Sequence, residues 1–428
     1  MSSTSDNSSK TKPDEIQASS FLQRLFVRKG FSDAVLLPIL AVFTALVIGA
    51  LIIAFSDPDT LVAWGNFFHN PLGALNTTWV TIRDAYSAMF IGAFGNPVEI
   101  FKQLMIWIKT GDSKQLLAEI RPFNECLVVS VPYILAGLGV AVGFQCNLFN
   151  IGAEGQLYIG GLATAFFGYS VHGLPWFIHA PLAILAGALA AGIWGFIPGI
   201  LKARFGAHEV INTIMMNYIA FRLTDYLVAG PMKSPGGIPA TPDVLPTAQL
   251  ATLFPSPVRL HWGFFIALGL AVVVYWLLYK TTFGMEIRMV GANLRAARYA
   301  GISVTRTMAV TMAISAALCG LGGSIHLLGV DHRMVRAFSP GYGFDAIALA
   351  LLGNSNPLGV VLAALLFGFL RGGAARMQSV AGTPVEIIRI IQGLVIVFIA
   401  APEIIRGLYR LRSSGNEKKS AKQSVSES

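Results

Sequence analysis

Three polar side chains interrupt an apolar stretch at FNIGAEGQLYIG, residues 149–160: Asn150, Glu154 and Gln156. Amides and a carboxylate can hydrogen-bond a polar solute, but at membrane depth they are costly unless they face a cavity or a partner. The glycines between them permit close helix packing or a local break in a helix. We therefore predict a kink that lines a route for a polar solute. Two alternatives are open: a protonated Glu154 hydrogen-bonded between helices, or a Glu154 that meets water at the cytoplasmic interface.

Further polar and aromatic residues extend the predicted route. They are Phe144, Asn147, Phe149, Asn212, Asn217, Phe344 and Asp345. The phenylalanines are suited to stacking on a flat ring, and the asparagines to hydrogen-bonding its edges. For Asn212 and Asn217, which recur at roughly helical spacing, interhelical hydrogen bonding is an equal alternative. Asp345 opens a short predicted helix, where it either complements the positive N-terminal end or meets the solute.

The composition places these residues in a membrane protein. Of 428 residues, 54% are hydrophobic and only 12% are charged, whereas soluble domains average about 25% charged residues. The net charge of +9 does not indicate nucleic acid, because the basic residues cluster in the two tails and one internal loop. The three cysteines lie in or beside apolar runs without metal-ligand spacing, so we expect small buried side chains and no metal.

Apolar runs predict an all-α, polytopic protein with about ten transmembrane helices. The spans are Ala34–Phe55, Leu127–Gln145, Gln156–Val171, Ile178–Leu201, Val210–Ala229, Trp262–Tyr279, Met308–Val330, Phe344–Gly353, Pro357–Gly373 and Ile387–Ala401. The two around Asn354 are interpreted as half-length helices that form a hairpin. An even number of spans puts both termini on one side, and the excess of Lys and Arg makes that side cytoplasmic.

This topology divides the chain into a transmembrane domain, 34–404, between cytoplasmic disordered tails at 1–33 and 405–428. It predicts an external loop at 56–126, an external proline-rich loop at 230–260 and a cytoplasmic loop at 281–306. A weak internal repeat pairs PLAILAGALAAG (181–192) with PLGVVLAALLFG (357–368). The two copies run in opposite directions in this topology, which is the pattern of an inverted repeat in transporters. Chance similarity between two Ala- and Leu-rich spans is the alternative.

The cytoplasmic loop contains a short predicted helix from Leu294 to Ala300. Asn293 is a good N-cap and Gly301 a good C-terminal stop. About two turns are too few for a stable isolated helix, so the segment needs a surface on which to pack. We predict a docking helix for a cytoplasmic subunit, with a simple basic connection as the alternative. The residues assigned to docking are Gly291, Asn293, Leu294, Arg295, Ala297, Arg298 and Gly301.

The loop GANLRAARYAGI (291–302) resembles the coupling loop of ABC-importer permeases, in the superfamily of branched-chain amino acid and simple-sugar permeases. GFQCNLFNIGAEGQLYIGG (143–161) and GYGFDAIALALLGNSNPLGVVLAALLFG (341–368) resemble two further motifs of that group. NIGAEGQ, together with HEVINTIMMNY (208–218), is most similar to the purine-nucleoside permeases that work with lipoprotein receptors of the basic-membrane-protein kind. The resemblance runs from about Leu127 to Ala401.

The resemblance implies a permease of the type II importer kind in a bacterial inner membrane. Its expected partners are a second, similar permease chain, two cytoplasmic ATP-binding subunits and an external substrate-binding lipoprotein. The chain has no G-x-x-x-x-G-K-[ST] stretch, so we expect no cofactor and no catalysis on it, with ATP hydrolysed by the partner. Nucleosides are the expected substrate. The alternatives are a monosaccharide or amino acid moved by the same machinery, or a self-contained secondary transporter that uses Glu154.

Overall fold

The computed structural model describes residues 29–409, which form sixteen α-helices and a short π-helix, with no β-strand among them. The described residues divide into two compact units, one of residues 44–400 and the other of residues 29–43 with 401–409. The predicted tails, 1–33 and 405–428, lie outside the described residues except for 29–33 and 405–409. Residues 29–33 already belong to the first helix, and 405–408 belong to the last one.

The first half of the chain contains eight helices. They are α1 (Lys29–Ser56), α2 (Pro58–Gly65), α3 (Pro71–Phe94), α4 (Pro97–Thr110), α5 (Lys114–Gln145), α6 (Ala153–Ser170), α7 (Trp176–Phe205) and α8 (Glu209–Ala229). The second half contains α9 (Gly263–Lys280), α10 (Thr282–Ala292), α11 (Leu294–Tyr299), α12 (Val304–His326), the π-helix (Leu327–Asp331), α13 (Tyr342–Leu352), α14 (Pro357–Ala381), α15 (Val385–Ala400) and α16 (Pro402–Leu408).

Six described helical segments are long and apolar enough to cross a membrane. They are Leu36–Ser56, Lys114–Gln145, Trp176–Phe205, Gly263–Lys280, Val304–Asp331 and Pro357–Ala381. The other four predicted spans are helical too, as α6, α8, α13 and α15, but they are shorter or more polar. The structure therefore confirms a polytopic helical protein, whereas the number of ten crossings stays a prediction. Of the two helices predicted to be half-length, only α13 is short; the prediction is wrong for α14, which has 25 residues and is long enough to cross a membrane.

Helix α12 lies at the centre of the larger unit, where it contacts α5, α6 and α7. Small residues allow these helices to approach to backbone distance. A Cβ atom at Gly160 of α6 would overlap the backbone of Gly320 of α12. Where α7 joins this pair, the hydroxyl of Thr164 donates to Ser324 at 2.8 Å, and Gly187 leaves no room for a side chain beside them. Without a hydrophobic force between helices in lipid, such close packing is a principal source of stability.

The segments of the weak repeat lie on helices that run in opposite directions. The contacts that fix the directions are Gly187 with Ser324 and Gly199 with Met312 for α7 on α12, Gly139 with Ser315 and Ala136 with Cys319 for α5 on α12, and Gly137 with Val360 and Ser130 with Gly368 for α14 on α5. Helices α5 and α7 are both antiparallel to α12, so they are parallel to each other. Because α14 is antiparallel to α5, it is also antiparallel to α7. The repeat itself stays a prediction.

Two predicted loops have internal structure. Residues 56–126 contain α2, α3, α4 and the beginning of α5, which the loop prediction did not include. The proline-rich segment, which we define as residues 230–262, is tied to the end of α6 and to the π-helix that follows α12 by backbone hydrogen bonds. In two of these, Leu245 donates to Gly168 at 2.9 Å and Leu250 donates to Leu328 at 3.0 Å. The segment is thus held against the helix ends even though proline prevents a long helix there.

Candidate functional site

The polar turn, defined here as residues 146–152, joins α5 to α6 and carries part of the predicted route. The chain reverses after Gln145, and Asn147 adopts a left-handed conformation with a φ of 55°, which asparagine tolerates better than most residues. Three of the four polar residues in the turn and the start of α6 are buried, and the fourth, Asn147, is exposed. Asn150 is 0% exposed, Glu154 2% and Gln156 1%. Each of them must therefore find hydrogen-bond partners inside the protein.

Asn150 and Gln156 bond to each other through both amide groups. The Nδ2 atom of Asn150 donates to Oε1 of Gln156 at 2.8 Å, and Nε2 of Gln156 donates back to Oδ1 of Asn150 at 3.0 Å. Asn150 also donates to the Ser315 hydroxyl at 2.9 Å, and Ser315 donates to the carbonyl of Gly139 at 2.6 Å. This amide pair therefore links the turn to α12 and α5. In this conformation its hydrogen-bonding capacity is used within the chain.

Asn217 fixes the same turn to α8. Its Oδ1 atom accepts from the backbone N–H of Gly155 at 2.8 Å, and its Nδ2 donates to the carbonyl of Ile151 at 2.9 Å. Asn212, one and a half turns earlier, is half-buried, and its Nδ2 has no partner among the described residues. The two asparagines thus differ. Asn217 makes hydrogen bonds to another helix and to the turn, which was the alternative to lining the route. The Nδ2 group of Asn212 has no hydrogen-bond partner among the described residues.

Glu154 caps the half-length helix α13. The backbone N–H of Gly343, in the first turn of α13, donates to Oε2 of Glu154 at 2.6 Å. First-turn N–H groups have no partner within a helix, and the helix dipole makes this end favourable for a carboxylate. A Cβ atom at Gly343 would overlap the backbone of Glu154, so glycine permits the approach. Glu154 contacts a helix end in this conformation, and its place on the substrate pathway stays a prediction.

A second cluster was missed by the sequence analysis. The Tyr133 hydroxyl donates to Oδ2 of Asp345 at 2.8 Å and accepts from Nη1 of Arg371 at 2.7 Å. Arg371 also forms an ion pair with Asp345 at 3.5 Å, and its guanidinium lies 5.3 Å from the centroid of the Tyr342 ring. The available signal was Arg371 itself, a charged residue inside an apolar span, which is a functional candidate on that ground alone. Asp345 was singled out, but its partners were not.

The remaining predicted pathway residues lie nearer the surface. Asn147 is exposed, Phe149 is 44% exposed and Phe344 is 46% exposed. The rings of Phe144 and Phe149 lie 4.8 Å apart between centroids. The predicted set thus contains a buried polar group, comprising Asn150, Glu154, Gln156 and Asn217, and a more exposed group, and the place of both on a substrate pathway stays a prediction.

The short helix of the predicted docking loop is present as α11. The Oδ1 atom of Asn293 accepts from the N–H groups of Arg295 at 2.9 Å and Ala296 at 3.1 Å, and this confirms the N-cap. Gly301 has a φ of +79°, as a helix stop requires. Ala297 is buried, whereas Arg295, Arg298 and Leu294 are exposed. The helix therefore rests on the protein through one residue and presents a basic face outwards.

The docking loop also contacts the polar turn. A Cβ atom at Gly291, in the last turn of α10, would overlap the carbonyl oxygen of Gln145. The Gln145 side chain in turn donates from Nε2 to the carbonyl of Ser355 at 3.1 Å, in the connection between α13 and α14. One chain of contacts therefore joins the loop, the end of α5 and the hairpin that contains the half-length helix.

Membrane-length helices, a half-length helix capped by a buried carboxylate and an exposed basic helix are features of a polytopic membrane transport protein. Residues 123–400 match the family model described as branched-chain amino acid transport system / permease component, and the chain belongs to that family. This confirms the resemblance predicted for residues from about Leu127 to Ala401. No solved structure matches the chain significantly.

Individual relatives are permeases named for particular substrates. The chain is 38% identical over 376 residues to the guanosine ABC transporter permease protein NupP of Bacillus subtilis, covering 87% of this chain and 94% of the relative. It is 35% identical to the nucleoside ABC transporter permease protein NupB of Lactococcus lactis, covering 74% and 88%. It is also 36% identical to the glucose ABC transporter permease protein TsgB13 of Haloferax volcanii, covering 66% and 77%.

Proposed function

We propose that this chain is a membrane-spanning permease subunit of an ATP-driven importer for nucleosides. The observation that carries the proposal is its 38% identity, over 94% of the relative's length, to a guanosine ABC transporter permease. A second relative, which is named as a nucleoside permease, supports the same substrate class. A nucleoside also suits the side chains around the polar turn. Its base can stack on aromatic rings, and its ribose hydroxyls can hydrogen-bond to amide groups.

We also infer ten crossings with both termini in the cytoplasm of a bacterial cell. Three connections lie at one end of the larger unit and contact each other, namely the end of α5, the docking loop and the α13–α14 connection. Arg295 and Arg298 in that loop support a cytoplasmic location of this end, because positive charge favours that side of the membrane. The antiparallel course of α7 and α14 supports an inverted repeat, in which the substrate route follows the interface between the halves.

In this mechanism, two ATP-binding subunits dock on α11 and drive alternating access. Two observations support this mechanism. The basic face of α11 is exposed, and Gly291 contacts Gln145, so a displacement of the docking loop would be transmitted to the polar turn and to the α13–α14 connection. A second permease chain completes the pathway, and an external lipoprotein delivers substrate. The buried pairs would hold the turn in place, while Asn147, Phe149 and Phe344 would meet the nucleoside.

A monosaccharide is the second candidate substrate, since the glucose permease relative is 36% identical. The test is uptake of labelled adenosine, guanosine, uridine, ribose, glucose and leucine in cells that lack the chain and in complemented cells. Each uptake is measured with and without ATP depletion, and separately after collapse of the proton gradient. Loss of ATP-dependent nucleoside uptake alone supports the proposal. Loss of sugar uptake with nucleoside uptake intact, or uptake that follows the proton gradient, would overturn it.

A further inference from the structure

One face of α8 is exposed in the part of the chain that the structure describes. The buried face carries residues that pack on the polar turn and α6: Thr213, Asn217, Ala220, Thr224 and Val228. The opposite face carries a stripe at helical spacing: Ile211, Met215, Tyr218, Arg222 and Tyr226. We call this second set the α8 stripe. It differs from an ordinary lipid-facing surface because it contains a charged residue.

Arg222 lies well inside the predicted span. At 1.5 Å per residue it is roughly 20 Å from Glu209 and roughly 10 Å from Ala229 along the helix axis. The side chain is exposed, and no described residue hydrogen-bonds it or pairs with it. Placing a charged guanidinium in contact with hydrocarbon costs about 3 kcal/mol on scales of helix insertion into membranes. Arg222 therefore faces an aqueous route or a polar partner.

The neighbours of Arg222 suit a flat, polar ligand. Tyr218 and Tyr226 lie one turn on either side of it and are 60% and 67% exposed. An aromatic face and a guanidinium plane both stack on a nucleobase. Asp225 is half-buried and lies three residues beyond Arg222, a spacing that predicts an ion pair. The two side chains nevertheless form no salt bridge, so both remain available to a ligand.

We propose that Arg222, Asp225 and Tyr218 form a recognition site for the base of a 6-oxopurine nucleoside. This proposal rests on the proposed function and names the substrate class more narrowly. The arginine fork donates two hydrogen bonds, which match the N7 and O6 acceptors of guanine. A carboxylate accepts from the N1–H and N2–H groups on the adjacent edge. Adenine presents an amino donor in place of O6 and an acceptor at N1, so it meets both protein groups with the wrong polarity.

The test compares two competitors against uptake of labelled guanosine in complemented cells. Guanosine offers both N7 and O6, whereas 7-deazaguanosine lacks the N7 acceptor. In the wild type we expect 7-deazaguanosine to compete roughly tenfold less well, the order expected for a lost bidentate contact. In Arg222→Lys, which keeps the charge but loses the fork, we expect guanosine uptake to fall and the two competitors to become equivalent. Arg204→Lys, at an exposed position in the last turn of α7, is the matched control and should behave as the wild type.

The outcomes separate the two proposals. Absence of nucleoside uptake in the wild type would overturn the proposed function. Nucleoside uptake with equal competition by both compounds in the wild type, or with an unchanged ratio in Arg222→Lys, would overturn only the site and indicate that Arg222 reaches the lipid headgroups. Loss of Arg222→Lys and Arg222→Gln from the membrane, with Arg204→Lys present at normal levels, would instead assign Arg222 to contact with the second permease chain and also overturn the site.

Discussion

At the scale of single residues, the buried polar side chains around the polar turn are hydrogen-bonded within the chain. Asn150, Gln156 and Asn217 bond one another or the backbone, and Glu154 meets the first turn of α13. The sequence indicated that these residues matter, because their types are costly at membrane depth. It did not indicate their partners, since Gly343 follows Glu154 by 189 positions and only the fold brings them together.

Removing the cap at Glu154 should loosen α13. In Glu154→Leu the N–H of Gly343 remains buried without an acceptor, which costs about 1–3 kcal/mol. Glu154→Gln keeps an oxygen that can accept and should lose less. The measurement is the melting temperature of the purified complex, with Asp84→Asn on the exposed side of α3 as a control. Equal stability of the leucine variant and the wild type would show that the contact contributes nothing.

His261 should make stability depend on pH. The ring is 1% exposed, and its Nδ1 accepts from the N–H of Gly263 at 3.1 Å. Burial, and secondly the charge of His332, lower the pKa of His261 from 6.5 to about 4. Burial in the folded state disfavours the protonated ring. The folded state is therefore most stable, with respect to His261, above pH 6.5, and it loses this stability as the pH falls towards 4. A depression of this size corresponds to about 3 kcal/mol.

The check for His261 is a melting curve of the purified complex at pH 7.5 and at pH 5. The wild type should melt lower at pH 5, and His261→Gln should show a shallower dependence because the glutamine does not titrate. Some slope should persist, since burial also lowers the pKa of His332. If the melting temperature of the variant changes with pH as much as that of the wild type, His261 is not the source of the pH dependence.

At the scale of elements, glycine contacts decide which helices can meet. Gly160→Ala should force α6 away from the backbone of Gly320 and cost roughly 1–3 kcal/mol, as overpacking does. Gly269→Ala on α9 is the matched control, because no atom lies within 4 Å of the new methyl group, and alanine favours a helix by up to about 1 kcal/mol. The two variants are compared by melting temperature and by the amount inserted in membranes. Equal behaviour would contradict this packing.

The N-cap of α11 should matter for coupling. Asn293→Ala removes the acceptor for two N–H groups and costs about 1 kcal/mol, a large share for a helix of six residues. Less ATP-binding subunit should co-purify with this variant, and uptake should fall in proportion. Asn293→Ser keeps a capping oxygen and should remain close to the wild type. Full subunit recovery with Asn293→Ala would mean that docking does not depend on α11.

Local signals and distant contacts therefore differ in how well the sequence reports them. Asn293, Gly301 and the short helix between them followed from capping rules, which act over three or four residues. Apolar runs located a helix at each of the ten predicted spans, but they missed α3, a helix of 24 residues inside the predicted loop, and underestimated the extent of α5. Its beginning at Lys114 carries polar residues such as Glu119 and Glu125, which a hydropathy pattern assigns to a loop. The contacts of Arg371 were beyond local reasoning, because Tyr133 lies 238 residues away.

At the scale of the whole molecule, sidedness can be tested with single cysteines. Phe68 is 96% exposed in the segment predicted to be external, and Tyr299 is 93% exposed on α11. The native cysteines are buried, so they should give little background. A membrane-impermeant maleimide should label Phe68→Cys in intact cells and Tyr299→Cys only after permeabilisation. Labelling of Tyr299→Cys in intact cells would reverse the proposed topology.

The glycine contacts between α6, α7 and α12 have a mechanical consequence. Backbone held directly against backbone leaves no side chains that can change rotamer to absorb a shift, so these three helices move as one stiff body. Deformation during a transport cycle then falls to contacts made by side chains, such as the cluster of Tyr133, Asp345 and Arg371 that joins α5, α13 and α14. A permease built in this way bends where side chains meet and keeps its glycine-packed helices as a fixed frame.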